Sequence, residues 1–217
     1  MRVIYGGTFD PVHNGHLRLA VELREMLAVP ELALVPCHIP PHRAHPGAGS
    51  QERLELLQLA VAGEPGLVVD DRELARGGAS YTADTLRQVR SEVGADEPVV
   101  LVMGADAFAG FDRWRDWQAI PELAHVLVVA RPGYAFDPDS VPAGLLRTRG
   151  CGSAKELASA PCGLFLYQAL PLLDISATAV REKICKGLSP RYLLPDVVWQ
   201  EIQRRELYGF RLPQGNL

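Results

Sequence analysis

What the chain lacks narrows it first. Its 217 residues carry no basic excess: the formal net charge is -4, without the large positive field on which nonspecific nucleic-acid and membrane-surface binders depend. Any anionic ligand must be held by local groups. No apolar run approaches the roughly 20 residues needed to span a bilayer, and the first residues read as a strand, so neither a membrane helix nor a signal peptide is expected. Cys37, Cys151, Cys162 and Cys185 stand far apart, with neither the C-x-x-C pairing of a zinc site nor a compact disulfide framework. The expectation is a reduced protein of the cytoplasm. There is also no carboxylate cluster dedicated to a metal, no internal repeat and no low-complexity tract.

What is present is an alternation of strand and helix patterns. Strands are expected at Arg2–Tyr5, Glu31–Pro36, Leu67–Asp70, Pro98–Met103, His125–Ala130 and Leu164–Ala169. Helices are expected at Gly15–Leu27, Gln51–Ala62 behind a Ser50 cap, about Thr82–Val93, Ser176–Lys186 and Pro195–Leu207. Val99-Val100-Leu101-Val102-Met103 is apolar on both faces, as in a parallel sheet covered by helices on both sides. The length suits one α/β domain over residues 1–217, of the doubly wound, Rossmann-like class, with a small C-terminal helical part from 175. In such folds ligands bind at the carboxyl ends of the strands. Gly133–Pro161, rich in Gly, Pro and Ser, reads as a variable surface excursion.

The chemistry concentrates where the first strand runs into Gly6-Gly7-Thr8-Phe9-Asp10-Pro11-Val12-His13-Asn14-Gly15-His16. Adjacent glycines let a phosphate approach the backbone amides, and the following helix aims its positive end at the same place. His13 and His16, three apart, can project to one side and donate to phosphate oxygens. A late block, Ile175-Ser176-Ala177-Thr178-Ala179-Val180-Arg181, opens a helix with hydroxyl residues and brings a guanidinium one turn further on. Asp106, after Gly104, suits either a helix cap or a ribose or metal-bound water contact. Phe111, Trp114 and Trp117 suit either one buried helix face or a flat slot for an aromatic ring.

These blocks resemble the nucleotidyltransferases that carry an H-x-G-H element. Pro40-Pro41-His42-Arg43, Ser80 to Leu86, Gly104-Ala105-Asp106 with Trp114, Arg131-Pro132-Gly133 and Ile175 to Arg181 follow in family order, and the whole chain is most similar to the bacterial nicotinate mononucleotide adenylyltransferases. The resemblance implies adenylyl transfer from ATP to nicotinate mononucleotide, with Mg²⁺ carried on ATP. It implies His16 as donor to the α-phosphate, with His13 and the Gly6, Gly7, Thr8 and Phe9 backbone cradling the triphosphate. Gly104 and Asp106 fall in the nucleotide site, and Ile175, Ser176, Thr178 and Arg181 hold the β- and γ-phosphates. The mononucleotide falls to His42, Arg43, Tyr81, Thr82, Thr85, Asp106, Trp114 and Arg115, with Trp114 stacking on the pyridine ring. Ala177, Arg43 and Arg115 depart from the serine, lysine and aromatic residue common in the family at those positions. No nucleic-acid or membrane partner is expected, and a homo-oligomer is compatible with the sequence. Two rival readings remain: the same chemistry on nicotinamide mononucleotide or phosphopantetheine, and a nonenzymatic nucleotide sensor. A nucleic-acid-dependent synthetase would need an anticodon-reading domain for which the chain has no room.

Overall fold

The computed structural model describes residues 1–41, 46–130 and 136–211. Six strands, β1 (Arg2–Gly7), β2 (Leu32–Pro36), β3 (Leu67–Val69), β4 (Val99–Gly104), β5 (His125–Ala130) and β6 (Phe165–Ala169), form one sheet in the order β3-β2-β1-β4-β5-β6. Every neighbouring pair is parallel. The connections are helical: α1 (Asn14–Met26), α2 (Ser50–Val61), α3 (Arg72–Arg76), α4 (Thr82–Val93), α5 (Ala105–Phe108), α6 (Ile120–Leu123), α7 (Val141–Arg149), α8 (Ala177–Cys185) and α9 (Asp196–Arg204).

Strand periodicity sorts the core into two layers. Val3, Tyr5, Leu32, Leu34, Val100, Val102, Leu127 and Val129 face α1, α2, α8 and α9. Ile4, Val99, Leu101, Met103, Val126 and Val128 face α4, α5 and α6. The sheet is thus wound on both faces, as its apolar strands require. The chain reverses direction across the sheet between β1 and β4, and the loops leaving these two strands open a crevice at their carboxyl ends.

Two expectations change. The cap of α2 is Gly49, not Ser50: the Gly49 N–H donates to the Glu52 carboxylate at 2.7 Å, while the Ser50 hydroxyl meets Nδ1 of His38 at 2.9 Å. The segment after residue 135 is more than a surface excursion. Ser140 caps α7 by accepting from the Ala143 N–H, Leu157 is fully buried, and Phe136 packs edge-on against Phe108 and Tyr167. Gly and Pro masked this packing because they bound short elements without interrupting them.

Candidate active site

β1 delivers the first group. Beyond it the chain turns sharply through Phe9, whose φ is 48°, and a cis Asp10–Pro11 peptide. The buried Phe9 ring stands edge-on to Tyr5 at 5.7 Å and to His16 at 5.0 Å. A Cβ on Gly7 would fall 2.8 Å from that ring, whereas one on Gly6 would meet nothing within 4 Å. The double glycine therefore has divided duties, correcting the common role expected for it: Gly7 admits the Phe9 ring and Gly6 faces open space. Only the backbone of Phe9 remains for a ligand.

His13 is the N-cap of α1 and nearly fully buried; His16 sits in the helix's first turn, half-buried. Their rings stack, with centroids 3.6 Å apart and planes 20° from parallel. The His13 backbone N–H donates to Nδ1 of His16 at 3.3 Å. An Nδ1 that accepts leaves the ring proton on Nε2, so His16 presents a donor.

The late block arrives from the other end of the chain. Ser176 caps α8 by accepting from the Ala179 N–H at 3.2 Å, leaving the earliest amides of that helix without intrahelical partners. Ile175, half-buried, packs on the core below. Arg181 donates through Nη1 to the Asp10 carbonyl at 2.6 Å and through Nη2 to the Thr178 hydroxyl at 3.2 Å. Its guanidinium also lies 3.4 Å from the Asp10 carboxylate. That buried carboxylate accepts from the Gly47 and Ala48 amides at 2.8 and 3.1 Å. Tyr208, after α9, closes the junction, and burial beside Asp10 pushes its hydroxyl pKa up. Asn14 bonds the Leu193 and Tyr192 carbonyls, both at 2.8 Å. The two ends of the polypeptide therefore meet at one edge of the sheet.

On the β4 side, Asp106 is exposed in the first turn of α5 and folds back over Gly104, where a Cβ would stand 2.6 Å from its Oδ1. Beyond it, Phe111 is fully buried while Trp114 and Trp117 are half-buried. They occupy two short 3₁₀ turns with an extended Trp114 between, not one helical face. Tyr81 caps α4, with Thr82 its first residue, and the Arg115 guanidinium lies 4.5 Å over the Tyr81 ring. Tyr81, Thr82, Trp114 and Arg115 thus share one rim. Thr85 does not: its buried hydroxyl donates to Glu73 at 2.6 Å and accepts from Arg76 at 3.0 Å, which spends it on joining α3 to α4. His42, Arg43 and Arg131-Pro132-Gly133 lie outside the described residues.

Two contributors were missed in the sequence. Asp10 read only as part of the turn, and Arg53 only as a residue of α2. Arg53 is fully buried and donates to the Thr8, Cys37, His38 and Ala48 carbonyls. Burial pushes the Cys37 thiol pKa up, which disfavours the thiolate. Among the described residues no three His, Cys, Asp or Glu side chains are grouped to hold a metal, and no helix is long and apolar enough to cross a membrane.

The arrangement brings backbone amides, the His16 imidazole and the Arg181 guanidinium to one edge of the sheet, beside an aromatic rim, groups of the kind that hold anions. The chain is similar to known proteins. A family model described as cytidylyltransferase-like matches residues 4–183. A Marinobacter nauticus protein named "Probable nicotinate-nucleotide adenylyltransferase" is 59% identical over 215 residues, covering 99% of this chain and 100% of that protein. A Cellvibrio japonicus protein of the same name is 48% identical over 205 residues, with 94% and 97% covered. Among solved structures, the Plasmodium falciparum nicotinic acid mononucleotide adenylyltransferase complexed with NaAD superposes with a TM-score of 0.73 at 15% identity, covering 96% of this chain and 97% of that one. At that identity the likeness speaks for the fold.

Proposed function

We infer from a chain that belongs to the cytidylyltransferase-like family, and within it to the nicotinate-nucleotide adenylyltransferases, that it joins ATP and nicotinate mononucleotide into nicotinate adenine dinucleotide and pyrophosphate, a step of NAD biosynthesis. A phosphate oxygen of the mononucleotide attacks the α-phosphorus of ATP. The bond from that phosphorus to the bridging oxygen breaks, and pyrophosphate leaves with the electron pair. No side-chain nucleophile is needed; the protein aligns two anions and receives the charge that spreads over them.

His16 is the α-phosphate donor, because its Nδ1 is occupied by the His13 N–H and its proton is on Nε2. His13 backs that ring by stacking. The Gly6 to Phe9 backbone cradles the triphosphate, and the α8 amino end with Ser176, Thr178 and Arg181 takes the β- and γ-phosphates. Residues 1–217 act as one nucleotidyltransferase domain, with 175–217 completing the ATP site. Mg²⁺ carried with ATP would neutralise charge on the phosphates, and Asp106, an exposed carboxylate, would hold its water or the ribose. Trp114 supplies the ring-stacking face, and the Thr82 and Arg115 amides suit the nicotinate carboxylate. The cytoplasm, where ATP is abundant, is the expected compartment.

One observation carries the reading: the contact of Arg181 with the Asp10 carbonyl, 171 positions away in sequence, which brings the α8 amino end to the H-x-G-H turn. A pyrophosphate-release assay with ATP and a panel of mononucleotides tests it. Nicotinate mononucleotide should give the fastest release. Faster reaction with nicotinamide mononucleotide or phosphopantetheine moves the acceptor, and saturable ATP binding without release on any acceptor leaves a sensor.

A further inference from the structure

We infer that Arg53 is a positioning residue that turns two backbone amides of the β1 turn outward, making the anion cradle. The reasoning starts with carbonyls. Gly7 C=O accepts from the Cys37 N–H at 2.9 Å, and Thr8 C=O accepts from Nη1 of Arg53 at 2.6 Å. In a planar trans peptide the carbonyl and the following N–H point in opposite directions. The amides of Thr8 and Phe9 therefore both face away from the interior, toward the crevice. Phe9, at φ 48°, supplies the left-handed member that lets successive N–H groups converge into an anion-binding concavity.

The same guanidinium fastens the neighbouring loops. Nη2 donates to Cys37 O at 2.8 Å and His38 O at 2.9 Å, beyond β2, and Nε to Ala48 O at 3.3 Å, ahead of α2. Three segments of the crevice wall thus hang on one fully buried side chain. All of these oxygen acceptors are carbonyls, and among the described residues no carboxylate hydrogen-bonds Arg53 or forms an ion pair with it, so its charge remains directed to the turn above. A lysine ammonium in its place keeps the charge but loses the planar fork that spans these acceptors.

Identifying the anion as a triphosphate rests on the nucleotidyl-transfer reading above, so the test separates the two. Wild type, Arg53→Lys and Arg53→Ala are titrated with inorganic tripolyphosphate and, separately, with adenosine, and their turnover and melting temperatures are measured. Wild type should bind tripolyphosphate. Arg53→Lys should lose about tenfold or more of that affinity, with less than about twofold change for adenosine, and Arg53→Ala should regain turnover in millimolar methylguanidinium. Equal losses for both probes, or no loss for tripolyphosphate, overturn the assignment while leaving the function standing. A wild type that turns over but ignores tripolyphosphate overturns the cradle alone, and one that neither binds tripolyphosphate nor releases pyrophosphate overturns both. Should the variants not fold, ¹⁵N-labelled wild type decides: tripolyphosphate should shift the Thr8 and Phe9 amide resonances most, and unmoved resonances there refute the role.

Discussion

Arg53 and Arg90 perform one physical task at opposite edges of the same sheet, with different consequences. At the carboxyl edge Arg53 binds four carbonyls of loops that line the crevice. At the amino edge Arg90 binds carbonyls of Gly94, Ala95, Glu97, Leu123 and Pro161, at the entries to β4, β5 and β6. Both tie loops together through backbone carbonyls, of which Pro161 O also accepts from the Val99 N–H at 3.1 Å. Only the carboxyl edge also gathers the stacked histidines, the α8 amino end and the Trp114 rim. A guanidinium clamp becomes functional through what the clamped amides face. Substitutions at the carboxyl edge should therefore change turnover, and those at the amino edge stability alone.

His16→Ala is the severest test of that division. Removing the donor should lower kcat by roughly 10² to 10³ with modest change in ATP affinity, the signature of an interaction made in the transition state. Near-normal turnover in steady-state assays would strip the carboxyl edge of its central group. Arg181→Gln comes next: a charged hydrogen-bond partner is lost from the polyphosphate, and KM for ATP should rise roughly tenfold or more. A rise confined to the mononucleotide KM would place Arg181 on the wrong substrate. Trp114→Ala should raise the mononucleotide KM by up to about tenfold, the worth of one aromatic stack, and leave the ATP KM nearly unchanged.

The two edges also differ in how much of them could be read beforehand. His13 and His16 stand three apart and follow an apolar strand, so their convergence is a local event that spacing reveals. Six strands, the doubly wound sheet and the α4 limits Thr82–Val93 follow from apolar runs and periodicity. Arg53 was illegible because its partners are main-chain carbonyls, which carry no residue signature, and because one Arg in a helix reads as a solvated face. Thr85 was misplaced for a related reason: its hydroxyl faces Glu73 and Arg76 of the short α3, a helix that periodicity did not disclose. What the sequence hides is long-range polar pairing, and what it displays is local pattern.

Arg90→Gln turns the comparison around. It should lower stability by about 1–3 kcal/mol through carbonyls left without donors, read as a fall in the urea midpoint, while kcat stays within about twofold. An equal fall in kcat would mean that the amino edge communicates with the site and that the division fails.

The mildest effect belongs to His125, at the start of β5. It is fully buried; Nδ1 accepts from the Leu164 N–H at 3.0 Å and Nε2 donates to the Ala160 carbonyl at 2.8 Å. That pairing demands the neutral ring, since a proton on Nδ1 would confront a donor. Burial accordingly holds its pKa below the usual 6.5. A depressed folded-state value means that, just below pH 6.5, the unfolded chain binds a proton that the folded chain refuses. This contribution is complete above pH 6.5 and declines as pH falls toward the folded-state value, by at most about 1.4 kcal/mol per pH unit. Urea midpoints between pH 7.5 and 5.5 should fall more steeply in wild type than in His125→Gln, which carries no titrating ring. Turnover of the still-folded protein should show no step owed to His125, because the crevice lies at the far end of the strand. Identical midpoint slopes in the two proteins would assign the acid sensitivity elsewhere, whereas a lost turnover step in His125→Gln would show that protonation at one edge reaches the other.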